Sequence, residues 1–153
     1  MLIALLPAVP GQQWSWRETA AELMAYGHRV AIVTDPPEGS SDNELDLAGA
    51  WVAHCALALA THDDRPPMLL VAPGSAGRML PALGFAQRAS RRRVAGYVLV
   101  DADLPRPGVQ DWPDAPVTYV GGPGAEQARL RGWDVESGGD VARAIRVVAQ
   151  RWA

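Results

Sequence analysis

The chain has 153 residues with 48% hydrophobic content, enough for one domain with a real core. All 14 positive charges are arginine, set against 17 acidic residues for a formal net charge of −3. The absence of lysine excludes Schiff-base chemistry and a Walker-type phosphate loop, and the mild, dispersed charge gives no footprint for nucleic acid or an anionic membrane.

Short apolar runs alternate with longer amphipathic ones. Leu2–Leu6 reads as a first strand, since Met1 enters it without the basic segment of a signal peptide. Trp16–Tyr26 is helical, with Ala20, Ala21, Leu23 and Met24 on one face and Gly27 as its stop. Val30–Thr34 is the second strand. Ser41-Asp-Asn-Glu44 is a capping-box pattern that opens a helix to about Ala60. Met68–Ala72 is the third strand, and Pro73–Gly77 is a tight turn into a helix that ends near Arg91. Pro81 removes a backbone donor early in that helix and predicts a late start. Gly96–Asp101 and Pro116–Gly121 are the fourth and fifth strands. Ala125–Arg131 is a short helix, Trp133–Glu136 a small strand, and Asp140–Trp152 a closing helix.

This alternation predicts an α/β fold, a three-layer sandwich. Its mainly parallel sheet of five to six strands has helices on both faces, in a single domain over residues 1–153. Ligands of such sheets bind outside the carboxyl ends of the strands. Those ends here are Pro7–Gln13, Asp35, Pro73–Gly77, Asp101–Asp103 and Gly121–Gly124. The single cysteine, Cys55, excludes an internal disulfide, reads as a small buried hydrophobe and suits the cytoplasm. No apolar run reaches the roughly 18 residues of a bilayer span, so no membrane partner is expected. Three scattered histidines and one cysteine make no metal site, and no cofactor is implied. Abundant Ala, Gly, Pro and Arg without lysine looks like the product of a GC-rich, actinomycete-type genome.

Several motifs in order resemble one family. Residues 7–17 read Pro-Ala-Val-Pro-Gly-Gln-Gln-Trp-Ser-Trp-Arg, followed by Gly27-His-Arg-Val30 and Asp35-Pro-Pro. Leu69–Gly77 is shaped like a nucleophile elbow, and Val98–Gly108 like a strand with the segment leaving it. Together these resemble the α/β-hydrolases of the esterase and hydroxynitrile-lyase branch. The resemblance implies a minimal core without the family's first two strands and helical cap, because only 14 residues, Ala102–Ala115, separate the fourth and fifth strands.

Against that pattern the catalytic set is degenerate. The family's His-Gly pair falls on Pro7 and Ala8, Gly121-Gly-Pro-Gly124 stands where an acid belongs, and Glu136–Asp140 lacks a histidine. The elbow admits two registers, with Ser75 or Gly74 at the nucleophile position; Gly77-Arg78-Met79 favours Ser75. A serine without a base in reach is a poor nucleophile. His28, His54 and His62 each read as structural or solvated.

Other chemistry remains open. The N–H groups of Gly74, Ser75, Ala76 and Gly77 can hold an oxyanion or enolate, or the glycines can simply permit the turn. Asp101 and Asp103, two apart at a strand end, are expected on one face, where one can serve as a general base and the alternative is a loop cap with a solvated neighbour. Trp14 and Trp112 are candidates to line an apolar pocket, and Arg78 to pair with a substrate carboxylate; Trp16, Trp51, Trp133 and Trp152 read as packing residues. The expected function is proton transfer on an apolar small molecule or peptide, of isomerase, cyclase, epimerase or lyase type, in natural-product tailoring. The alternatives are a non-catalytic binding or partner protein and an esterase or thioesterase using Ser75. The apolar run Val30–Val33, left at a sheet edge, predicts a homodimer, either edge to edge or through the face left bare by the missing cap.

Overall fold

The computed structural model describes residues 1–37, 43–106 and 115–153. Its elements are β1 (Leu2–Leu5), α1 (Arg17–Ala25), β2 (Arg29–Ile32), α2 (Glu44–Leu59), β3 (Met68–Pro73), a 3-10 segment (Gly74–Met79), α3 (Leu80–Ala89), β4 (Val94–Val100), β5 (Val117–Val120), α4 (Ala125–Leu130), β6 (Asp134–Glu136) and α5 (Val141–Trp152). The six strands form one sheet in the order β2-β1-β3-β4-β5-β6, and every pairing is parallel.

The apolar strands are the cause of this arrangement. Leu69, Leu70 and Val71 of β3 are all 0% exposed, and burying each such side chain stabilises the fold by about 1.5–3 kcal/mol. Strand alternation sends Leu2, Ala4, Met68 and Leu70 to one face, where Trp51, Cys55 and Leu59 of α2, Leu80 and Leu83 of α3 and Ala128 of α4 cover them. Ile3, Leu5, Leu69 and Val71 point to the other face and meet Ala20 and Leu23 of α1 and Ile145 and Val148 of α5. The sheet therefore separates two cores, one on each side.

Caps set the helix ends. Asn43 Oδ1 accepts from the Leu45 N–H at 2.9 Å and starts α2 at Glu44, while Ser41 and Asp42 of the expected capping box lie outside the described residues. Asp140 Oδ1 accepts from the Arg143 N–H at 3.0 Å and starts α5. The late start expected for the helix carrying Pro81 is present: α3 begins at Leu80, with Pro81 in its first turn, where a missing N–H costs nothing.

The order of strands creates a crevice. From β1 the chain passes through α1 to β2 at one edge. It then returns through α2 to β3 on the other side of β1, and proceeds through α3 to β4. The loops leaving β1 and β3 thus depart to opposite faces, and the space between them is the switch point where ligands of parallel sheets bind. Two indoles hold the β1 side of it. Trp16 Nε1 donates to the Leu6 carbonyl at 2.6 Å from one face, and Trp51 Nε1 donates to the Pro7 carbonyl at 3.0 Å from the other. Among the described residues, no helix is long and apolar enough to cross a membrane.

Candidate functional site

Side chains from three strand ends converge at this crevice. Gln12, in the loop after β1, meets Ser75 in the turn after β3, and Ser75 meets Asp103, three residues beyond β4. The Ser75 N–H donates to Gln12 Oε1 at 3.1 Å, and Gln12 Nε2 donates to Ser75 Oγ at 2.9 Å. Ser75 Oγ donates to Asp103 Oδ2 at 3.2 Å, and Arg78 approaches the same carboxylate oxygen at 3.2 Å. The directions are fixed by chemistry. An oxygen that accepts from Ser75 N leaves the amide nitrogen facing the hydroxyl, so the hydroxyl proton is free to go to the carboxylate.

Backbone geometry puts these groups there. Gly74 has φ +53, and a Cβ on it would lie 2.7 Å from Gln12 Oε1, so glycine provides both the left-handed turn and the room for the amide. Gly77 lies against the chain of Asp103: a Cβ there would meet the Asp103 carbonyl oxygen at 2.5 Å, Leu99 Cδ2 at 2.6 Å and Ala102 Cβ at 2.8 Å. The Asp103 N–H donates to the Gly74 carbonyl at 3.0 Å. Asp103 is therefore fixed by its backbone, while its side chain stays 47% exposed and that of Arg78 61%. An ion pair this open is worth little to stability.

The left-handed residue of the turn is Gly74, and Ser75 follows it. Ala76 and Gly77 are buried.

The expected pairing of Asp101 with Asp103 on one face is corrected. Asp101 has φ +44, which breaks the strand alternation, and aspartate tolerates that conformation better than most residues. Its Oδ1 sits against Gly121, where a Cβ would collide with it, at the end of β5. The two carboxylates thus serve different neighbours. Beneath them, Tyr119 accepts the Gly124 N–H on its phenol oxygen at 2.9 Å. Burial pushes the Tyr119 phenol above its ordinary pKa, and the Asp101 and Asp103 charges act in the same direction.

Trp14 is 36% exposed and stands edge-on to Trp16, with ring centroids 5.2 Å apart, at the crevice rim. Trp112 lies outside the described residues. Among the described residues, no histidine side chain hydrogen-bonds to this cluster. His54 Nε2 is 2.8 Å from the Thr34 carbonyl, beyond β2 at the sheet edge, and His28 and His62 precede β2 and β3 at the opposite ends of their strands. Among the described residues, no group of three or more His, Cys, Asp or Glu side chains can hold a metal ion. Gln12 and Tyr119 are the members that the sequence did not single out. Gln12 does fall in the Pro7–Gln13 segment expected at the carboxyl edge.

No family model matches the chain, and no curated protein matches it. Among solved structures, the chain is similar to a variant of tomato methylketone synthase I in complex with beta-ketoheptanoate. The TM-score is 0.66 at 9% sequence identity, over 99% of this chain and 97% of that one. At that identity the likeness is one of fold. The resemblance to esterases and hydroxynitrile lyases is corrected accordingly. The absence of any matching family model leaves it unsupported, and the similar solved structure is by name a methylketone synthase. The description of the site as a degenerate triad falls with it. The chain is an α/β protein with a single six-stranded parallel sheet, and its site is defined by its own geometry.

Proposed function

We propose that the chain is an enzyme acting on an apolar small molecule that carries a carbonyl group, transferring a proton at the carbon beside it. The observation that carries this reading is the Ser75–Asp103 contact at the switch point, in a cluster that includes Arg78 and no imidazole. Asp103 is the base, the N–H and hydroxyl of Ser75 face the carbonyl oxygen as negative charge develops, and Arg78 receives a substrate carboxylate. The exposed indole of Trp14 offers the apolar tail a surface. The similar solved structure holds a β-keto acid, a compound with an acidic carbon, a carbonyl and a carboxylate. Its chemistry matches what Asp103, Ser75 and Arg78 offer. Natural-product tailoring of isomerase, cyclase, epimerase or lyase type fits the same groups.

The test is to incubate the protein with β-ketoheptanoate and neutral ketones in heavy water, following deuterium uptake and loss of carbon dioxide by NMR against the uncatalysed rate. Acceleration that falls about 100-fold or more in Asp103→Asn supports the reading. An unaccelerated reaction, or an Asp103→Asn variant equal to the parent, overturns it.

A second reading, a binding protein without catalysis, is favoured by one observation: Gln12 already occupies both polar groups of Ser75. It expects Ser75, Asp101 and Asp103 to become alanine without loss of function. Labelling of Ser75 by a fluorophosphonate would instead favour an acyl-transfer enzyme. We also propose a homodimer through β2. Among the described residues this strand pairs with β1 alone, and it exposes half of Ile32 beside half-buried Val30. A strictly monomeric species by light scattering at tens of micromolar overturns that assignment.

A further inference from the structure

We infer that Gln12 is a built-in stand-in ligand, an intramolecular latch that closes the Ser75 site and displays the kind of group the site takes. A primary amide presents a carbonyl oxygen and an N–H on one edge. Gln12 uses that edge in full: its oxygen takes the Ser75 N–H at 3.1 Å and its nitrogen gives a proton to Ser75 Oγ at 2.9 Å. Any ligand reaching Ser75 must displace Gln12 and satisfy the same two groups.

Three independent features support a latch over a fixed structural tie. The contact spans 63 residues of sequence and joins the two loops that diverge at the switch point, where the strand order itself places a ligand. Gln12 is exposed and follows Gly11, whose φ is +92, in a tight turn closed by the Gln12 N–H to the Val9 carbonyl at 3.1 Å, so the side chain can swing into solvent without moving the core. Trp16 and Trp51 hold the chain just before the turn, at the Leu6 and Pro7 carbonyls, so the end of β1 is tied independently of the Gln12 side chain.

The ligand edge is thereby defined: a carbonyl oxygen with an N–H or O–H on the same side, as in a lactam, a primary carboxamide or a carboxylic acid. A trans secondary amide turns its N–H away from its C=O and cannot make both bonds. The inference rests on the reading above only in placing the ligand at Ser75.

The experiment titrates 2-pyrrolidinone and N-methylacetamide into nitrogen-15-labelled protein, following the Ser75 amide signal. Loss of two competing hydrogen bonds in Gln12→Ala is expected to tighten 2-pyrrolidinone roughly 5- to 100-fold, with N-methylacetamide, which can make one of the two bonds, weaker than the lactam in both proteins. Equal affinity of the lactam for the two proteins, N-methylacetamide binding Gln12→Ala as tightly as the lactam, or no binding of either probe to Gln12→Ala overturns the latch. Gln12→Glu, which keeps the size and loses the donor, guards against a folding artefact and is expected to bind the lactam at least as well as the parent. Because the readout is binding, the outcomes separate. Tighter binding without any proton transfer leaves the latch standing and removes the enzymatic reading. Proton transfer with a Gln12→Ala variant of unchanged KM does the reverse.

Discussion

Gly77→Ala tests how the fold holds the site. A Cβ at Gly77 has no free direction, since the Asp103 carbonyl oxygen, Leu99 Cδ2 and Ala102 Cβ would lie 2.5, 2.6 and 2.8 Å from it. Two of these belong to backbone or to a Cβ, which cannot rotate away, and Leu99 is itself 0% exposed in the core. One extra methyl in so closed a place forces the chain at residues 102–103 to move, an overpacking cost of about 2–3 kcal/mol. Gly49→Ala is the matched control. It adds the same methyl inside α2, meets nothing within 4 Å and carries no positive φ, so helix propensity predicts a gain of up to about 1 kcal/mol. Urea denaturation of parent and both variants measures the two effects, with opposite signs expected. In the Ser75 amide spectrum only Gly77→Ala is expected to show a shift, because the Asp103 carboxylate moves with its backbone. A Gly77→Ala protein within 0.5 kcal/mol of the parent by the threshold for ordinary surface changes would refute the packing account.

The remaining expectations concern single groups. Burial pushes the Cys55 thiol up to about 12 from 9.0, so a disulfide reagent at pH 8 is expected to label it only after unfolding. With the folded pKa above the unfolded one, the contribution of Cys55 is full below pH 9 and is lost as pH rises toward about 12, which alkaline denaturation curves of the parent and Cys55→Ala can compare. Asp140→Ala removes the bond to the Arg143 N–H and is expected to cost about 1 kcal/mol in thermal or urea melts. Trp51→Phe leaves the Pro7 carbonyl without its donor in a buried setting, for a cost of about 1–3 kcal/mol and a loosened loop after β1.

The order and type of the elements were legible because the strands are short, almost unbroken apolar runs and the helices between them carry apolar residues at helical spacing. Gly27 and Pro81 mark boundaries by mechanisms that act within one turn, and they worked as expected. The site was harder to read. Ser75, Arg78 and Asp103 could be named because they stand at strand ends. Gln12 could not, because its partner is 63 residues away and only the strand order brings them together. The Asp101–Asp103 pair was misplaced for a different reason. Residues two apart share a face only while the backbone stays extended, and the left-handed turn at Asp101 leaves no mark in the sequence. The family resemblance went wrong by treating weak motifs in sequence order as if their order added the specificity each lacked.

The two borders of the sheet are unlike. β6 is only Asp134–Glu136, and Arg151 clamps both of its acids, at 3.0 and 3.1 Å. β2 carries one ion pair at its start, where exposed Arg29 meets Asp64 at 2.6 Å, and exposes apolar Ile32 at its far end. In the proposed pairing of β2 with β2 about a twofold axis, the apolar end of each β2 border is covered by the other copy, and the β6 borders left outward carry the Arg151 ion pairs that discourage further strand addition.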